Sequence, residues 1–472
     1  MALLKRACTG RCRWALVLVV LVAAAACATT GDRGAPRTLE VPSGYGTIQD
    51  AVDAARPGDL VLVAPGVYRE SVLVVTPDLT IRGVDRNTVL LDGRGGLGTG
   101  IRVVDTGGVA VENLTLRNYS QTGLTWIDAA GFRASHVTAY DNGRRGVEVF
   151  DSVDGLIEQV WTSGSGEAGL HLSQCDPCRI VVDGVTAVDN GTGILLVNAG
   201  RELQVVRSTV RSNRSGVVLH STSFSLCSPQ QGATIAGNRI GPNARRDLPV
   251  GDVGIVADNS GIAVLGGRDD EVVSNLVTGE PGFGIVVAPY PELDATAPLP
   301  DDADVDEPCR TRAFIPSSGR IAVTTWPATG NRITGNVVTG SGVADLAIGG
   351  VADLGVGGVA EPGVGGVAEE VSRSGNCASD NVAAVTRPAD LQSLAPCDDT
   401  PTVTDWSRDA YVVPDLDRRE RRRLLRVDED VEPVRGAVPP PQPQLPGGPD
   451  RPATPATVPP EPVDTSTLAP PT

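Results

Sequence analysis

A glycine that recurs about every 23 residues constrains the fold of this chain more than any other feature. Successive intervals are 23, 23, 23, 24 and 23 residues, and Gly261 and Gly284 are again 23 apart after a 45-residue gap that leaves room for one irregular turn. A short alternating apolar run follows each glycine, as in GIRVVD and GVEVFD. Such a period indicates stacked coils of short strands, because the runs lack helical spacing. The sequence therefore predicts an all-β parallel β-helix with these glycines in register. The regular glycines are Gly100, Gly123, Gly146, Gly169, Gly193 and Gly216.

Composition agrees with a solenoid. The chain has 472 residues, 56 glycines and only 3% aromatic residues. A single compact core rarely grows beyond about 300 residues, whereas a solenoid extends its core along an axis. Asparagines precede several repeat glycines, where they suit a left-handed turn or a hydrogen bond to the next coil. These asparagines are Asn118, Asn142, Asn190 and Asn213.

A short amphipathic helix is predicted ahead of the coils. Ile48, Ala51 and Val52 fall on one helical face, and Thr47 is placed to cap the helix N-terminus. Such a helix would cover the open end of the solenoid core, as a terminal cap must. Strand-like runs follow at Leu60–Val63, Ser71–Val75, Leu79–Gly83 and Thr88–Leu91.

The stretch GYGTIQDAVDAARPGDLVLVAPGVYRESVLV, residues 44–74, resembles the opening of right-handed parallel β-helix proteins of the pectate-lyase-like superfamily. With the glycine repeats, the resemblance covers roughly residues 39–345. It implies the fold but not the activity, since that superfamily includes lyases, hydrolases, esterases, epimerases and binding proteins. The signature motifs of pectin methylesterases, polygalacturonases and mannuronan epimerases are missing from this sequence.

Residues 1–27 are similar to a bacterial lipoprotein signal peptide. Four basic residues precede an apolar stretch that ends in Ala24-Ala25-Ala26-Cys27. In such a signal Cys27 is lipidated and becomes the mature N-terminus, although Ala24 stands where Leu or Val is usual. An ordinary secretory signal and a retained anchor helix are the alternatives. We expect an exported protein, lipid-anchored to the cell membrane on its extracellular face or in the periplasm, with a polar linker at residues 28–38.

Six cysteines follow Cys27, and an even number in an exported chain predicts disulfides. Cys377 and Cys397 flank one segment and are expected to pair, while the remaining four can pair in three ways. A metal site is disfavoured because the single CxxC has no second CxxC or paired histidines beside it. The four are Cys175, Cys178, Cys227 and Cys309.

The chain is acidic, with a net charge of −17. All acidic residues follow Cys27, whereas four basic residues precede it, so the mature chain is more acidic still. This charge argues against nucleic acid as a partner and against simple attraction to anionic lipid. It also disfavours a polyanionic sugar unless calcium or a local arginine patch intervenes.

The alternation within the coils predicts which side chains face outward. If Val147 and Leu170 point inward, then Arg102, Glu148 and His171 share one outward column. Neighbouring coils lie about 4.8 Å apart, so Glu148 and His171 would be adjacent. These three are the candidate catalytic residues, with the carboxylate and imidazole suited to acid–base work. The competing interpretation is a solvated sheet face with one favourable cross-strand pair.

A second column holds Asp105, Asp128 and Asp151 at the same position on three successive coils. Stacked carboxylates repel unless something compensates. A calcium ion would do so, which makes these residues the candidate metal ligands and calcium the candidate cofactor. Separate turns, in which each carboxylate bonds its own backbone, are the alternative interpretation.

The β-helix is expected over residues 39–397 and includes two irregular parts. Residues 289–330 form an acidic, proline-containing insertion that predicts a loop over one face, and residues 343–370 carry an octapeptide repeat. A segment with a short basic helix is predicted at 398–435. Residues 436–472 are proline-rich and predict a disordered or polyproline tail.

These features predict a monomeric cell-envelope protein whose partner is a polysaccharide or cell-wall glycan. The first hypothesis is a carbohydrate-binding or surface-scaffold protein without catalysis, since known catalytic motifs are missing. The alternative is a polysaccharide-modifying enzyme, a lyase or epimerase or else a glycoside hydrolase, that works on the outer face around Arg102, Glu148 and His171. Aromatic platforms for sugars are scarce, since Trp126 points inward by its phase.

Overall fold

The computed structural model describes residues 35–223, 227–248, 257–295, 309, 321–351, 371–398, 400–403, 411–413, 434–449 and 451–472. Within these residues the chain winds as a parallel β-helix with three strands in each regular coil, so every third strand joins the same sheet. The predicted signal peptide with Cys27, the basic helix near 416–427 and most of the octapeptide repeat lie outside the described residues. In the described part of the chain, no helix has both the length and the hydropathy to cross a membrane.

Three long parallel sheets, here named A, B and C, build the walls of the solenoid. The described strands of sheet A are β1 Thr38–Val41, β2 Leu60–Val63, β5 Thr80–Gly83, β8 Val109–Glu112, β11 Ala130–Ser135, β14 Val153–Glu158, β17 Ile180–Asp183, β20 Leu203–Val206, β23 Ala233–Ala236, β26 Glu271–Val273, β31 Arg332–Thr334 and β34 Cys377–Ser379. Those of sheet B are β3 Gly66–Tyr68, β6 Val89–Asp92, β9 Thr115–Arg117, β12 Thr138–Tyr140, β15 Trp161–Ser163, β18 Thr186–Val188, β21 Thr209–Arg211, β24 Arg239–Ile240, β27 Leu276–Thr278 and β32 Val337–Thr339.

Sheet C carries the repeat glycines near the start of its regular strands. Its described strands are β4 Val72–Val74, β7 Thr99–Val104, β10 Thr122–Ile127, β13 Arg145–Phe150, β16 Ala168–Cys175, β19 Thr192–Ala199, β22 Ser215–His220, β25 Ile262–Leu265, β28 Phe283–Ala288, β33 Ala344–Val351 and β35 Thr386–Arg387, with β36 Tyr411–Val413 beside β33. Outside the three sheets, β29 Tyr290–Ala295 and β30 Ile321–Trp326 form an antiparallel hairpin. Most of the first octapeptide unit is part of strand β33.

The glycine period follows from a steric contact between coils. The register pairs Leu124 with Val147 and Val147 with Leu170, which aligns the glycines before them as predicted. A Cβ atom added to Gly146 would lie 2.6 Å from the carbonyl oxygen of Gly169. No real Cβ approaches a backbone atom so closely, so each coil needs glycine where it meets the next one.

The 45-residue gap between Gly216 and Gly261 is one enlarged coil. Strand β22 pairs directly with β25, with Val217 opposite Ile262, so no further strand of sheet C comes between them. Strands β23 and β24 lie within this coil and continue sheets A and B. The enlarged coil therefore keeps the three sheets in register.

The interior combines aliphatic columns with a buried asparagine ladder. The side-chain oxygen of Asn213 accepts from the backbone N–H of Asn190 at 2.9 Å, and that of Asn243 accepts from Asn213 at 3.1 Å. These residues are fully buried. Among the four predicted turn asparagines only Asn118 has a positive φ, so the other three act through the ladder instead. Trp126 points inward as predicted and is fully buried.

The N-terminal cap has the predicted form. Helix α1, Ile48–Ala54, buries Ile48, Ala51 and Val52. The Thr47 hydroxyl accepts from the N–H of Asp50 at 3.0 Å, and the Glu70 carboxylate accepts from the N–H groups of the first helical turn. Near the other end, the short helix α2, Leu391–Leu394, buries both of its leucines.

All six cysteines in the described residues form disulfides. Cys377 pairs with Cys397 as predicted. The other four pair as Cys175–Cys178 and Cys227–Cys309. The last bond attaches the acidic insertion to the loop that follows β22.

The described part of the proline-rich C-terminus, predicted as a disordered or polyproline tail, lies along the solenoid. Residues 434–449 and 451–472, here called the tail, lie against the outside of sheets A and B and make hydrogen bonds with them. Apart from a 3₁₀ turn at Thr465–Thr467, the tail has no regular secondary structure of its own. Composition predicts the lack of an internal fold, but it does not predict docking onto another surface.

Candidate functional site

The outer face of sheet C holds the column predicted from the alternation. Arg102 pairs in register with Thr125, Thr125 with Glu148, and Glu148 with His171. Leu195 follows His171 on the next coil. The polar residues of the column are therefore at its N-terminal end, and apolar residues succeed them.

Glu148 and His171 are neighbours but are not hydrogen-bonded to each other. The His171 Nδ1 atom lies 3.8 Å from the Glu148 Oε1 atom, beyond the usual range for a hydrogen bond. His171 is only 5% exposed, and its Nδ1 has no hydrogen-bond partner among the described residues. Burial, aided by the nearby Arg145 cation, lowers the pKa of His171 well below its usual value. The imidazole is therefore neutral at neutral pH.

The Glu148 carboxylate is held by other groups. Arg145 forms an ion pair with Glu148, and its other terminal nitrogen lies 2.6 Å from Glu167. Arg144 adds a second cation, 2.8 Å from Glu167. Burial opposes the charge on Arg145, but the two carboxylates outweigh it and raise the pKa of this guanidinium. The four side chains form a fixed charge cluster at the surface.

Arg102 does not join this cluster. It is exposed and lies two coils from Glu148, which corresponds to about 10 Å. The structure thus brings Glu148 and His171 together and leaves Arg102 apart from them. Sequence reasoning missed Arg144, Arg145 and Glu167, although opposite charges at the start of two successive sheet C strands were a usable signal.

The three stacked aspartates occupy turns at the ends of sheet C strands. Asp105, Asp128 and Asp151 have φ values of 49°, 53° and 48°, all in the left-handed region. Asp and Asn tolerate this conformation better than most residues, which explains an aspartate at each turn. Gln174 and Asn198 continue the same turn on the next coils. Within the described residues, no three His, Cys, Asp or Glu side chains are grouped to hold a metal ion. The left-handed backbone accounts for an aspartate at each turn, and calcium on this column stays a prediction.

The apolar part of the column is covered. Leu195 and Val218 are 5% and 1% exposed and pack in one cluster with Ala263, Val286 and Phe283. Tyr290, at the start of the hairpin, packs against this cluster. The start of the acidic insertion thus contributes to covering this face.

Glu292 clamps the hairpin onto the solenoid, and sequence reasoning missed it. Its carboxylate accepts hydrogen bonds from the Thr222 hydroxyl at 2.8 Å, the Ser223 backbone at 2.8 Å and the Trp326 indole at 2.8 Å. The Ser223 hydroxyl donates to it as well, at 3.0 Å, so four neutral donors surround a carboxylate that is only 4% exposed. Glu292 lies in a segment without repeats, so no periodic signal marks it.

His220 completes the covered region. Its ring meets Tyr290 edge-on at 5.3 Å, and its Nδ1 lies 3.1 Å from the carbonyl oxygen of Ser221. Burial lowers the pKa of His220 to about 4. Both histidines on this face are therefore neutral, and His220 lies against the covering hairpin.

The coils of this chain are similar to those of known proteins. Residues 79–240 match the family model described as a right handed beta helix region. The chain is similar to the A-module of mannuronan C-5 epimerase AlgE4 from Azotobacter vinelandii, with 15% identity and a TM-score of 0.42 over 74% of this chain and 93% of that one. It is also similar to the alginate lyase from Paenibacillus sp. str. FPU-7, with 16% identity and a TM-score of 0.40 over 53% of this chain and 91% of that one. No curated protein matches the sequence. The fold of this chain is a right-handed parallel β-helix.

Proposed function

We propose that this protein is a polysaccharide-binding scaffold of the cell envelope that performs no catalysis. Its binding surface is the uncovered first part of the outer face of sheet C. We call this surface the open strip. It consists of the exposed residues Leu73, Val75 and Arg102 and the half-buried residues Ile127, Glu148 and Phe150.

The proposal rests on two properties of this strip: it combines apolar with charged side chains, and its carboxylate is held in place by neighbouring residues. Leu73 and Val75 are 41% and 61% exposed, and Arg102 stands beside them. A sugar ring offers hydroxyls to charged groups and its C–H faces to apolar ones, so such a surface suits it. Arg145 and Thr125 hold Glu148 in place, which reduces the entropy lost when a ligand binds. The strip runs along the axis of the solenoid, as an extended glycan would.

The same geometry disfavours acid–base catalysis. Glu148 is committed to Arg145, and His171 is buried beside it without a hydrogen bond between the two. A general base must reach the proton that it removes. Arg102, the group meant to bind an anion, is two coils away from the pair.

One observation favours the alternative, a polysaccharide lyase or epimerase. His171 is neutral and its Nδ1 lacks a partner among the described residues, so it keeps the capacity to accept a proton. His171 is only 5% exposed, so a substrate would reach it only after a local rearrangement.

Binding to envelope polysaccharides tests the main proposal. The mature protein is mixed with cell-wall material and with a panel of soluble neutral and acidic glycans, and binding is measured by co-sedimentation and calorimetry. We expect Arg102→Ala to weaken binding at least tenfold. Arg211→Ala, an equally exposed arginine on sheet B, is the matched control and should bind normally. Equal binding by both variants would remove the open strip from the proposal.

An activity assay separates the two functions. Release of reducing ends and of unsaturated uronates is followed on the same glycans, with and without calcium. The scaffold proposal expects no product. If the wild type releases product and His171→Ala does not, the enzyme function replaces the scaffold function.

Envelope attachment is part of the proposal and has its own test. We propose that a lipid on Cys27 anchors the monomer to the membrane. The wild-type protein should partition into detergent, and Cys27→Ser should move to the aqueous phase. Detergent partitioning that survives this change would exclude the lipid anchor.

A further inference from the structure

The tail follows a definite path over the outside of sheets A and B. It begins near the ends of sheet B strands, where the N–H of Gly436 donates to Asp141 and the Ser163 hydroxyl donates to the carbonyl of Ala437. Further along, the N–H of Leu445 donates to Asn113 and that of Ala456 to the carbonyl of Gly108. The tail therefore contacts residues on many successive coils rather than a single spot.

The tail cannot join a sheet as an additional hydrogen-bonded strand, because it is rich in proline. Proline lacks an N–H, so a proline-rich chain cannot supply the ladder of donors that a new strand needs. Its carbonyl oxygens remain available as acceptors. A surface that binds such a chain must supply side-chain donors for these carbonyls.

Arg82 and Arg133 supply such donors at the centre of the path. The Arg82 guanidinium donates to the carbonyl of Arg451 at 2.5 Å and to those of Pro449 and Pro452 at 3.2 Å. Arg133 donates to the carbonyl of Thr454 at 2.5 Å.

One buried carboxylate orients both arginines. Glu112 pairs with Arg82 at 2.7 Å and with Arg133 at 2.5 Å. The side chains of Arg82 and Glu112 are fully buried although both project from the outer face of sheet A. Unpaired buried charge is costly, so these contacts form a built site rather than a chance one.

Two side-chain amides recognise the backbone of the tail at separate points. The Asn87 amide both donates to the carbonyl of Gln442 at 3.0 Å and accepts from its N–H at 2.7 Å. The Gln204 amide makes the same pair of bonds with Val463, at 3.0 Å and 2.7 Å. At Gln442 and Val463, each amide thus makes the pair of backbone hydrogen bonds that a neighbouring β-strand would make.

An apolar patch receives the last part of the tail. Val181, Val206 and Ala236 project from sheet A and are buried, with Val463 and Leu468 packed against them. By contrast, Val458 of the tail is 77% exposed. The tail therefore has distinct anchoring and non-anchoring residues within a few positions of each other.

We propose that the outer faces of sheets A and B form a binding groove for a proline-rich polypeptide in extended conformation, which the tail occupies as an intramolecular ligand. The groove uses arginine and amide donors for the carbonyls and the Val181 patch for one or two aliphatic side chains. Attachment to the same chain gives the tail a high effective concentration, so another proline-rich segment binds only when the tail is weakened or released. This site is separate from the open strip and does not depend on the proposed function.

Hydrogen exchange on the full mature chain tests the docking of the tail. We compare the wild type, the double variant Val463→Asp with Leu468→Asp, and the control Val458→Asp. The amide at position 463 should be protected in the wild type and in the control, and its protection should fall at least tenfold in the double variant. Equal exchange at this amide in all three proteins would overturn the proposal. Unchanged melting temperatures would show that the coils are intact.

Binding of a peptide in trans tests the groove itself. A labelled peptide of residues 457–472 is titrated into the full-length proteins. The double variant should bind it at least tenfold more tightly than the wild type, because its own tail competes less. A peptide carrying Val463→Asp and Leu468→Asp should not bind, while one carrying Val458→Asp should bind normally. Equal affinity of the unmodified peptide for wild type and double variant would overturn the proposal.

Discussion

The interior of the solenoid and its outer faces obey different rules. Inside, the same contacts recur from coil to coil, as the glycine column and the asparagine ladder show. Outside, the column of sheet C begins with polar residues and continues under a hairpin, while sheets A and B carry the tail. The repeat thus determines the fold, and segments that do not repeat determine which surfaces remain free.

This difference has an energetic counterpart. An interior position has another coil directly above and below it, so a change there acts on backbone that cannot move aside. An outer position has solvent or a detachable segment as its neighbour. Substitutions of similar size should therefore have effects that fall steeply from the interior to the open surface.

The largest effect is expected at a repeat glycine. Gly146→Ala would place a methyl group 2.6 Å from the carbonyl oxygen of Gly169. The coils would have to separate locally, which we expect to cost more than about 3 kcal/mol of unfolding free energy. Chemical denaturation measures this loss.

Gly96→Ala is the matched control for that substitution. No atom lies within 4 Å of a Cβ added to Gly96, which is exposed. Its effect should stay within about 0.5 kcal/mol. Similar losses in the two variants would mean that contacts between coils do not explain the glycine period.

A pH-dependent effect is expected at the end of the asparagine ladder. Glu280 accepts from the Asn243 backbone at 2.8 Å and from its side chain at 2.9 Å, and burial raises the pKa of this carboxyl to about 8. The folded state therefore holds a proton that the unfolded state, with a pKa of 4.5, releases. Stability from this group is present below pH 4.5 and is lost as pH rises through about 8. This loss amounts to about 1.4 kcal/mol for each pH unit between the two pKa values.

Comparison with Glu280→Gln isolates this contribution. The wild type should lose stability relative to the variant between pH 4.5 and 8. His220, whose pKa falls to about 4, acts in the opposite direction, since its contribution is lost as pH falls. The contribution of His220 is the same in the wild type and in Glu280→Gln, so it cancels when the stability of one protein is subtracted from that of the other at each pH. A difference between the proteins that does not vary with pH would show that Glu280 is ionised in the folded state.

A smaller loss is expected within the ladder itself. Asn213→Ala would remove the oxygen that accepts from the Asn190 N–H and the amide that donates to the Ala187 carbonyl at 3.0 Å. Two buried backbone groups would lose partners, at a cost of about 2 kcal/mol. Thermal unfolding should show the loss without any change in the binding of glycans. A stability equal to that of the wild type would mean that water replaces the amide.

Most of the interior could be predicted from the sequence because its contacts repeat from coil to coil or are local. The glycine period, the inward position of Trp126 and the capping by Thr47 each depend on contacts that repeat or are local. The candidate site was predicted in part. The register placed Glu148 next to His171, but the burial of His171 and the pairing of Glu148 with Arg145 depend on neighbours that the alternation does not encode.

The surfaces that cover the solenoid were the hardest to predict. Glu292 acts through Thr222 and Trp326, which are far from it in sequence. The tail binds through Arg82, whose partners are more than 350 residues away along the chain. Neither contact has a period or a local motif, so only the three-dimensional arrangement identifies it.

The smallest effect on stability is expected on the open strip. Arg102 is exposed, and its register partners are Leu73 and Thr125 rather than a carboxylate. Arg102→Ala should change the unfolding free energy by no more than about 0.5 kcal/mol. Arg145, on the same face, pairs with two carboxylates and is largely buried, so Arg145→Ala should cost several times more.

Together these two arginines test whether the open strip is a surface for ligands or part of the fold. If Arg102 serves a glycan, its replacement weakens binding while the melting temperature stays the same, and the loss is seen only in calorimetry with the ligand. If Arg102→Ala destabilises the coils as much as Arg145→Ala, then the outer column is as much a part of the folded core as the glycines are. The outer side chains of sheet C would then belong to the folded core, and they would not form a free surface for ligands.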